Sequence, residues 1–397
     1  MRGVCWVVVL ALTSGALAEE ARFRQDRFVI GSFVDPPMDE RADEYYRDMA
    51  TAGFNLMIGG FGASTPELEA RLRGFCRELD LKLLTPPMGR PDDALPEGDE
   101  VWGYFLRDEP SAKDFPHLAE RVASLRKHRP GKLGYINLFP SYCELERLGT
   151  SSYDEHVRRF VDEVRPEVLC MDHYPFMARE HDTREAYCAD LETMRQHSLR
   201  AGIPFWNFFN TMPFGPHGDP TEAQVRWQAF ASVAYGAKGV LYFCYWTPRG
   251  AEFPKGGAIL TAEGRKTHHY GHAQRTNAVL KAWGPHLMLA RGEGAFRLRG
   301  GAGENTPEMV PLRLSEGDFV AGLLTRDDGR HMLLLLNHDI AYSAWPTVTA
   351  HPDKMQEICR DTGRIIAPLD DSPDMEGLQL GMQPGDARLF IWGGEEG

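Results

Sequence analysis

The sequence has few of the features that mark disulfide-stabilised, nucleic-acid-binding or metal-binding proteins. Its seven cysteines are spread over 397 residues at spacings that form no disulfide framework, and a chain of this length needs no disulfide bonds to stabilise its core. Lys and Arg form no basic run, and 44 of them stand against 57 Asp and Glu, a net charge of −13. We therefore expect no nucleic-acid partner and no anionic membrane surface as a partner.

Long apolar segments and zinc motifs are also scarce. Beyond the amino terminus, no segment approaches the roughly 20 apolar residues that a membrane-spanning helix needs. Neither C-x-x-C nor H-E-x-x-H occurs, so no zinc motif is present. The pair His268-His269 opens a helical stretch, and we expect it to be solvated or to serve packing. The sequence thus predicts no metal ion and no membrane insertion of the mature chain.

The amino terminus has the three-part layout of a secretory signal peptide. Arg2 precedes an apolar run over residues 4–12, and Ala16-Leu17-Ala18 offers a small-x-small cleavage site. The run is too short to span a membrane, which disfavours the alternative of a membrane anchor. We expect residues 1–18 to be removed and the protein to be secreted or periplasmic.

Strand-like and helix-like segments alternate eight times along the next part of the chain. Several of the strand-like segments are apolar at successive positions, as in parallel strands that are buried on both faces. Eight such repeats predict a (β/α)8 barrel over residues 19–291. The predicted strands are 28–33, 55–59, 82–85, 101–106, 132–138, 168–171, 204–209 and 239–246.

After about residue 290 the pattern changes to strands separated by turns. Strand-like runs at 319–324 and 332–337 flank Asp327-Asp328-Gly329-Arg330, a good hairpin loop. Two more runs follow at 347–349 and 387–392. We predict a small antiparallel β-sandwich domain over residues 292–397.

Polar and aromatic residues follow the predicted barrel strands, where the active sites of such barrels lie. Carboxylates and amides bind the hydroxyl groups of a sugar, and aromatic faces cover its apolar side. The alternative is that these residues cap helices or pack the top of the barrel. The candidates are Asp108, Glu109, Asn137, Asp172, His173, Tyr174, Asn207, Asn210, Tyr245 and Trp246.

Several segments, in order, resemble the clan-A glycoside hydrolase barrels, especially bacterial β-galactosidase-type and cellulase-like members. The strongest runs from Trp102 to Pro110 and ends Asp108-Glu109-Pro110, where the family usually reads Asn-Glu-Pro. The resemblance implies a hydrolase of O-glycosidic bonds that acts on carbohydrate with two carboxylates and no cofactor. The other similar segments are 45–55, 226–243, 258–270 and 384–390.

The resemblance assigns roles to the two carboxylates after the fourth strand. Glu109 stands where the family keeps its general acid/base. Asp108 replaces the amide that normally contacts the 2-hydroxyl, which keeps acceptor capacity but loses the donor. Two adjacent carboxylates would also raise the pKa of one of them, which suits a proton donor.

The seventh strand departs from the family, whose nucleophile is a Glu at that strand's end. Residues 204–211 read PFWNFFNT and contain no carboxylate. Asp172 is one candidate second carboxylate, as base or nucleophile, since strands four and six are not neighbours and an inverting pair is roughly 6.5–9.5 Å apart. Glu252, in the loop after the eighth strand, is another. The third alternative has no second carboxylate, because the substrate supplies its own nucleophile or the barrel binds without hydrolysis.

The sequence therefore predicts an exported glycoside hydrolase with Glu109 and Asp172 as catalytic residues. Its rivals are a non-catalytic carbohydrate-binding barrel and a metal-dependent barrel hydrolase of another class. The expected substrate-binding residues are Asp108, Asn137, His173, Tyr174, Asn207, Asn210, Tyr245, Trp246 and Glu252.

Overall fold

The computed structural model describes residues 22–179, 182–251, 253, 257–301 and 307–394. The predicted signal peptide and Glu252 therefore lie outside the described residues. None of the described helices combines the length and apolar character that crossing a lipid bilayer requires. The six described cysteines are all free thiols.

Eight parallel strands form the barrel predicted from the sequence. Their order around the sheet is β5-β4-β3-β2-β1-β8-β7-β6. The ring closes at Leu138, whose N–H donates to Cys170 O at 2.9 Å and whose carbonyl accepts from Asp172 N at 3.3 Å. The strands are β1 Val29–Phe33, β2 Leu56–Ile58, β3 Lys82–Thr85, β4 Val101–Asp108, β5 Leu133–Asn137, β6 Leu169–Asp172, β7 Phe205–Asn210 and β8 Gly239–Phe243.

Helices cover the outside of the barrel, and four of them start at side-chain caps. Thr65, Ser152, Thr221 and Thr267 each accept a backbone N–H of the first helical turn, which satisfies donors that a helix start leaves free. The helices are α1 Ala42–Thr51, α2 Pro66–Glu78, α3 Phe115–His128, the single turn α4 Leu145–Leu148, α5 Tyr153–Val164, α6 Arg184–Ala201, α7 Glu222–Ala234 and α8 His268–Met288.

Alternation along each strand divides its side chains between the barrel interior and the helix layer. On β7, Trp206 and Phe208 belong to the interior cluster, whereas Phe205 and Phe209 pack in the cluster beneath the helices. Both faces are therefore apolar, as expected of a closed parallel sheet. The same alternation decides which polar side chains reach the mouth of the barrel.

The carboxyl-terminal part forms two antiparallel sheets, ordered β15-β14-β17-β12-β11-β9 and β10-β13-β16. Leu298, Phe319, Leu335, Val348 and Phe390 belong to one apolar cluster that the sheets share. A (β/α)8 barrel followed by a small antiparallel β domain is thus confirmed. The strands are β9 Ala290–Arg299, β10 Arg313–Leu314, β11 Asp318–Arg326, β12 His331–Asn337, β13 Thr347–Ala350, β14 Gln356–Ile358, β15 Ile365–Ile366, β16 Leu378–Gln379 and β17 Ala387–Trp392.

The six-stranded sheet packs directly against the barrel helices. Gly322 of β11 approaches the end of α7 so closely that a Cβ there would lie 2.3 Å from the Ala234 carbonyl oxygen. Trp283 of α8 donates its indole N–H to Ile358 O at 3.0 Å. The two parts consequently share one apolar core, which also includes Trp227 and Leu334.

Candidate active site

A narrow cavity opens at the carboxyl ends of the barrel strands. Its volume is about 40 Å³, far below the roughly 300 Å³ or more of typical small-molecule sites. A ligand of sugar size therefore has to lie across the mouth above this cavity. The lining residues are Phe33, Phe105, Asp108, Asn137, Asp172, Tyr174, Phe208 and Phe243.

Asp108, Asn137 and Asp172 form a polar row across three adjacent strand ends. Asp108 is in register with Asn137, whose amide Nδ2 donates to Asp108 Oδ1 at 3.1 Å. The Oδ1 atom of Asn137 is buried and has no hydrogen-bond partner among the described residues. Since neighbouring strands lie about 4.8 Å apart, the ends of β4 and β6 are separated by roughly 10 Å.

Glu109 follows β4 in an unusual backbone conformation. Its φ of 45° lies in the left-handed region, which a non-glycine residue adopts at an energetic cost. Its N–H donates to Asn137 O at 2.9 Å, which holds the residue beside the row. The carboxylate is 33% exposed and lies 3.7 Å from Arg147. Burial and the charge of Asp108 outweigh Arg147 and raise the pKa of Glu109 to about 7, which suits proton transfer near neutral pH.

Asp172 is the most buried carboxyl group of the mouth. Its Oδ2 accepts from the Tyr174 hydroxyl at 3.0 Å, while Oδ1 has no hydrogen-bond partner within the described part of the chain. Burial, reinforced by the charges of Glu109 and Asp108, raises the pKa of Asp172 well above its ordinary value. Burial also raises the pKa of Asp108, against the Asn137 hydrogen bond and the charge of Arg107. Three carboxyl groups with raised pKa values thus share one mouth.

Phenylalanines that the sequence analysis did not single out make up half of the cavity wall. Phe33 stacks on Phe105 at 5.9 Å and on Phe243 at 6.3 Å between ring centroids. Phe208 meets the ring of Phe33 edge-on at 6.4 Å. Their signal in the sequence is alternation: Phe208 shares the inward parity of Trp206, and Phe243 is the final residue of β8.

His173 and Asn207, predicted as substrate-binding residues, face the helix layer instead. His173 is fully buried, and its Nδ1 hydrogen-bonds Asp190 of α6 at 2.7 Å. The Asn207 amide donates to the Tyr187 hydroxyl at 2.6 Å and to Ser232 Oγ at 3.0 Å. Each of these two residues directly follows a residue whose side chain faces the barrel interior, so its own side chain faces the opposite way. The prediction that they bind the sugar is therefore corrected.

The polar and aromatic residues expected from strands seven and eight also lie off the cavity. Tyr245 is fully buried, and its hydroxyl donates to Tyr45 O at 3.1 Å. The Trp246 ring packs on the Tyr45 ring at 4.9 Å. These contacts tie the end of the barrel to α1, and the burial of Tyr245 corrects its predicted contact with the sugar. The predicted contact of the part-exposed Trp246 stays a prediction.

Asn210 is fully buried at the end of β7 and does not line the cavity. Its amide lies 3.5 Å from Gly218 O, in the loop that joins β7 to α7. The structure therefore gives Asn210 a contact within this loop, in place of the expected contact with substrate.

The loop between β7 and α7 borders the mouth through Tyr174. The Tyr174 ring contacts Phe214 at 5.2 Å and His217 at 5.4 Å, and Phe243 at 5.6 Å. Because Tyr174 also donates to Asp172, the loop supports the residue that positions this carboxyl group.

The fold is shared with known glycoside hydrolases, although no protein-family model and no curated protein matches the chain. A GH42 β-galactosidase from G. stearothermophilus is 7% identical over 94% of this chain and 99% of its own, with a TM-score of 0.63. A β-galactosidase from Bacillus circulans is 10% identical over 92% of this chain and 99% of its own (TM-score 0.60). A family 39 glycoside hydrolase from Bacteroides cellulosilyticus is 12% identical over 95% of this chain and 82% of its own (TM-score 0.55). The predicted resemblance to clan-A barrels is confirmed at the level of the fold.

Proposed function

We propose that this protein is a glycoside hydrolase in which Glu109 and Asp172 are the pair of catalytic carboxyl groups. The observation that carries the proposal is the mouth itself, where Asp172 lines the cavity and Glu109 directly follows the strand-end row, held by its backbone bond to Asn137. Both carboxyl groups have raised pKa values. Perturbed carboxyl groups in a cleft are typical of catalytic acids and bases. The similar fold of two β-galactosidases makes β-galactosides the first substrates to try.

The strand geometry favours hydrolysis by direct attack of water. The ends of β4 and β6 are separated by about two strand spacings, which accommodates the roughly 6.5–9.5 Å of an inverting pair. One group, as a carboxylate, takes a proton from a water molecule while the oxygen of that water bonds to the anomeric carbon. The other group, as a carboxylic acid, protonates the glycosidic oxygen as its bond to the anomeric carbon breaks. The end of β7 carries Phe208 and Asn210, so a nucleophile from that strand is missing.

Two observations favour opposite assignments of acid and base. The resemblance gives the acid role to Glu109, whose pKa of about 7 is suitable. The deeper burial of Asp172 favours the reverse, because Asp172 keeps its proton while the more exposed Glu109 loses its own. In both assignments, one carboxyl group donates a proton and the other accepts one.

Substrates with different leaving groups separate these roles. A nitrophenyl glycoside departs with little proton assistance, so the variant lacking the acid should keep most of its rate on this substrate and lose it on an alkyl glycoside. The variant lacking the base should lose activity on both. Glu109→Gln and Asp172→Asn are compared, with Glu146→Gln and Asp93→Asn as matched exposed controls. Full activity of both site variants would contradict the proposed pair.

A non-catalytic carbohydrate-binding barrel is the second candidate. It is favoured by the absence of a carboxylate at the end of β7 and by the four phenylalanines in the wall. Calorimetric titration with oligosaccharides distinguishes it from the hydrolase. Saturable binding without any release of reducing sugar from the same glycans would favour the binding barrel.

Export is a proposal that rests on the sequence alone, since residues 1–18 lie outside the described residues. Amino-terminal sequencing of the protein recovered from culture medium or periplasm tests it. We expect the mature chain to begin at Glu19. An intact amino terminus on protein recovered from the cytoplasm would contradict export.

A further inference from the structure

Three histidines cluster at the first turn of α8, on the rim of the barrel that carries the mouth. His268, His269 and His272 each offer a ring nitrogen, and these atoms lie within 4.8 Å of one another. In the described ranges this is the one group of three His, Cys, Asp or Glu side chains that meets this spacing. His268 and His272 are one helical turn apart and so share a face of α8.

A carboxylate holds one of the rings from outside the cluster, and a second carboxylate lies near another ring. His269 Nε2 hydrogen-bonds Asp219 Oδ1 at 2.8 Å, and His272 Nε2 lies 3.9 Å from Glu222 Oε2. A carboxylate on one ring nitrogen fixes the proton there and leaves the lone pair on the other nitrogen. This is the arrangement in which histidine ligands of metal ions are held.

Two of the remaining ring nitrogens lack a partner among the described residues. Nδ1 of His269 and Nδ1 of His272 are both buried, with no hydrogen-bond partner among the residues that the structure describes. His269 as a whole is only 1% exposed. Because buried polar atoms in native proteins are nearly always paired, we infer that these two nitrogens are paired with a bound ligand.

The cluster is also open to an incoming ion. His268 is 57% exposed and leaves the site in contact with solvent.

We propose that His268, His269 and His272 together bind one divalent transition-metal ion, represented by Zn²⁺, with Asp219 holding His269 in place. Imidazole ligands suit Zn²⁺, Cu²⁺ and Ni²⁺, whereas Mg²⁺ and Ca²⁺ prefer oxygen. Three histidines leave a fourth coordination position for water or a carboxylate oxygen.

The site joins α8 to the loop between β7 and α7. Asp219 belongs to this loop, and two residues earlier His217 packs on the Tyr174 ring at the mouth. A bound ion therefore fastens the loop that borders the candidate active site. The ion does not take part in the proposed hydrolysis, and its binding does not depend on that activity.

Titration of the chelator-stripped protein with Zn²⁺ tests the site by calorimetry. Wild type should bind one equivalent, and Co²⁺ in place of Zn²⁺ should give the visible absorption of a histidine-ligated ion. His272→Gln should weaken binding by more than tenfold because it removes a ligand. Asp219→Asn should weaken it by about tenfold, the effect of losing a carboxylate that orients a ligand. The matched control is His117→Gln, an exposed histidine of α3, which should bind as wild type does.

Two results would overturn the site. One is the absence of saturable Zn²⁺ binding to wild type; the other is equal affinity of wild type, His272→Gln and His117→Gln. Thermal unfolding of each metal-free variant shows whether that variant is folded. If His272→Gln fails to fold, His268→Gln replaces it, since His268 is exposed and its nearest carboxylate oxygen is 3.8 Å away.

Discussion

Asp172 combines a raised pKa with a buried carboxyl oxygen that lacks a hydrogen-bond partner in the described structure. A folded-state pKa above the unfolded value means that folding takes up a proton, so the free energy of unfolding falls as pH rises from about 4. Asp172→Asn removes this charge and can still accept from Tyr174. We expect the variant to have a higher Tm than wild type at pH 8 and a similar Tm near pH 4.

Thermal unfolding across this pH range measures the difference. A gain of 1 kcal/mol corresponds to a rise in Tm of about 2–4 °C in a large domain. Asp93→Asn, at an exposed position, should leave the pH dependence unchanged. A lower Tm of Asp172→Asn at pH 8 would show that the ionised carboxylate is favourably solvated.

Arg147 should tune the titration of Glu109. Its guanidinium lies 3.7 Å from the carboxylate and favours the ionised form. In Arg147→Gln the pKa of Glu109 should rise, by a few tenths because Arg147 is 61% exposed and solvent screens it. The limb of the pH–rate profile that Glu109 governs should move to higher pH by the same amount; this is the basic limb if Glu109 is the acid and the acidic limb if it is the base. A shift of that limb to lower pH would contradict this placement.

The sequence was sufficient to place Asp108, Asn137, Asp172 and Tyr174 at one mouth, because the carboxyl ends of parallel barrel strands converge. It was insufficient for His173 and Asn207. Because side chains alternate along a strand, a shift of one residue moves a side chain from the barrel interior to the helix layer. Both faces of these strands are apolar. The usual contrast between a polar and an apolar face, which would reveal the parity, is therefore missing.

At the scale of an element, the start of α7 supports the loop that borders the mouth. Thr221 accepts from Gln224 N at 3.3 Å, and Gln224 Oε1 accepts from Thr221 N at 2.8 Å, a reciprocal capping box. Thr221→Ala should cost about 1 kcal/mol of unfolding free energy. Denaturant unfolding measures this, and Thr221→Ser, which keeps the hydroxyl, should remain within a few tenths of wild type.

Long, regular elements were predictable and short ones were not. The sequence predicts a strand at 332–337 and the structure has β12 at His331–Asn337, because an apolar run bounded by turn residues is typical of a buried strand. The strands β10, β15 and β16 have two residues each, too few for any alternation to show. β9 was also missed, since its glycines and arginines lack the β-branched character of typical strands.

At the scale of the molecule, the barrel and the β domain are joined by close backbone packing at Gly322. A Cβ there would lie 2.3 Å from the Ala234 carbonyl oxygen and 2.5 Å from its Cα. Gly322→Ala should therefore force the sheet away from α7 and destabilise the protein by about 1–3 kcal/mol. Gly74→Ala, on α2 with nothing within 4 Å of the new Cβ, should instead stabilise it by roughly 0.5–1 kcal/mol.

Equal unfolding midpoints for wild type and Gly322→Ala would show that the sheet does not press on α7. A second transition at low denaturant in this variant would show that the β domain can separate from a folded barrel. We expect a single transition at a lower midpoint, because the two parts share an apolar cluster.

The central claim is that the carboxyl groups at the mouth hydrolyse glycosidic bonds. The most direct test measures reducing-sugar release from a broad glycan panel, β-galactosides first, by wild type, Glu109→Gln and Glu146→Gln. Release by wild type and Glu146→Gln, with a loss of about 10²–10⁴-fold in Glu109→Gln, is the predicted result. Equal release by all three proteins, or saturable binding with no release by any of them, would contradict it.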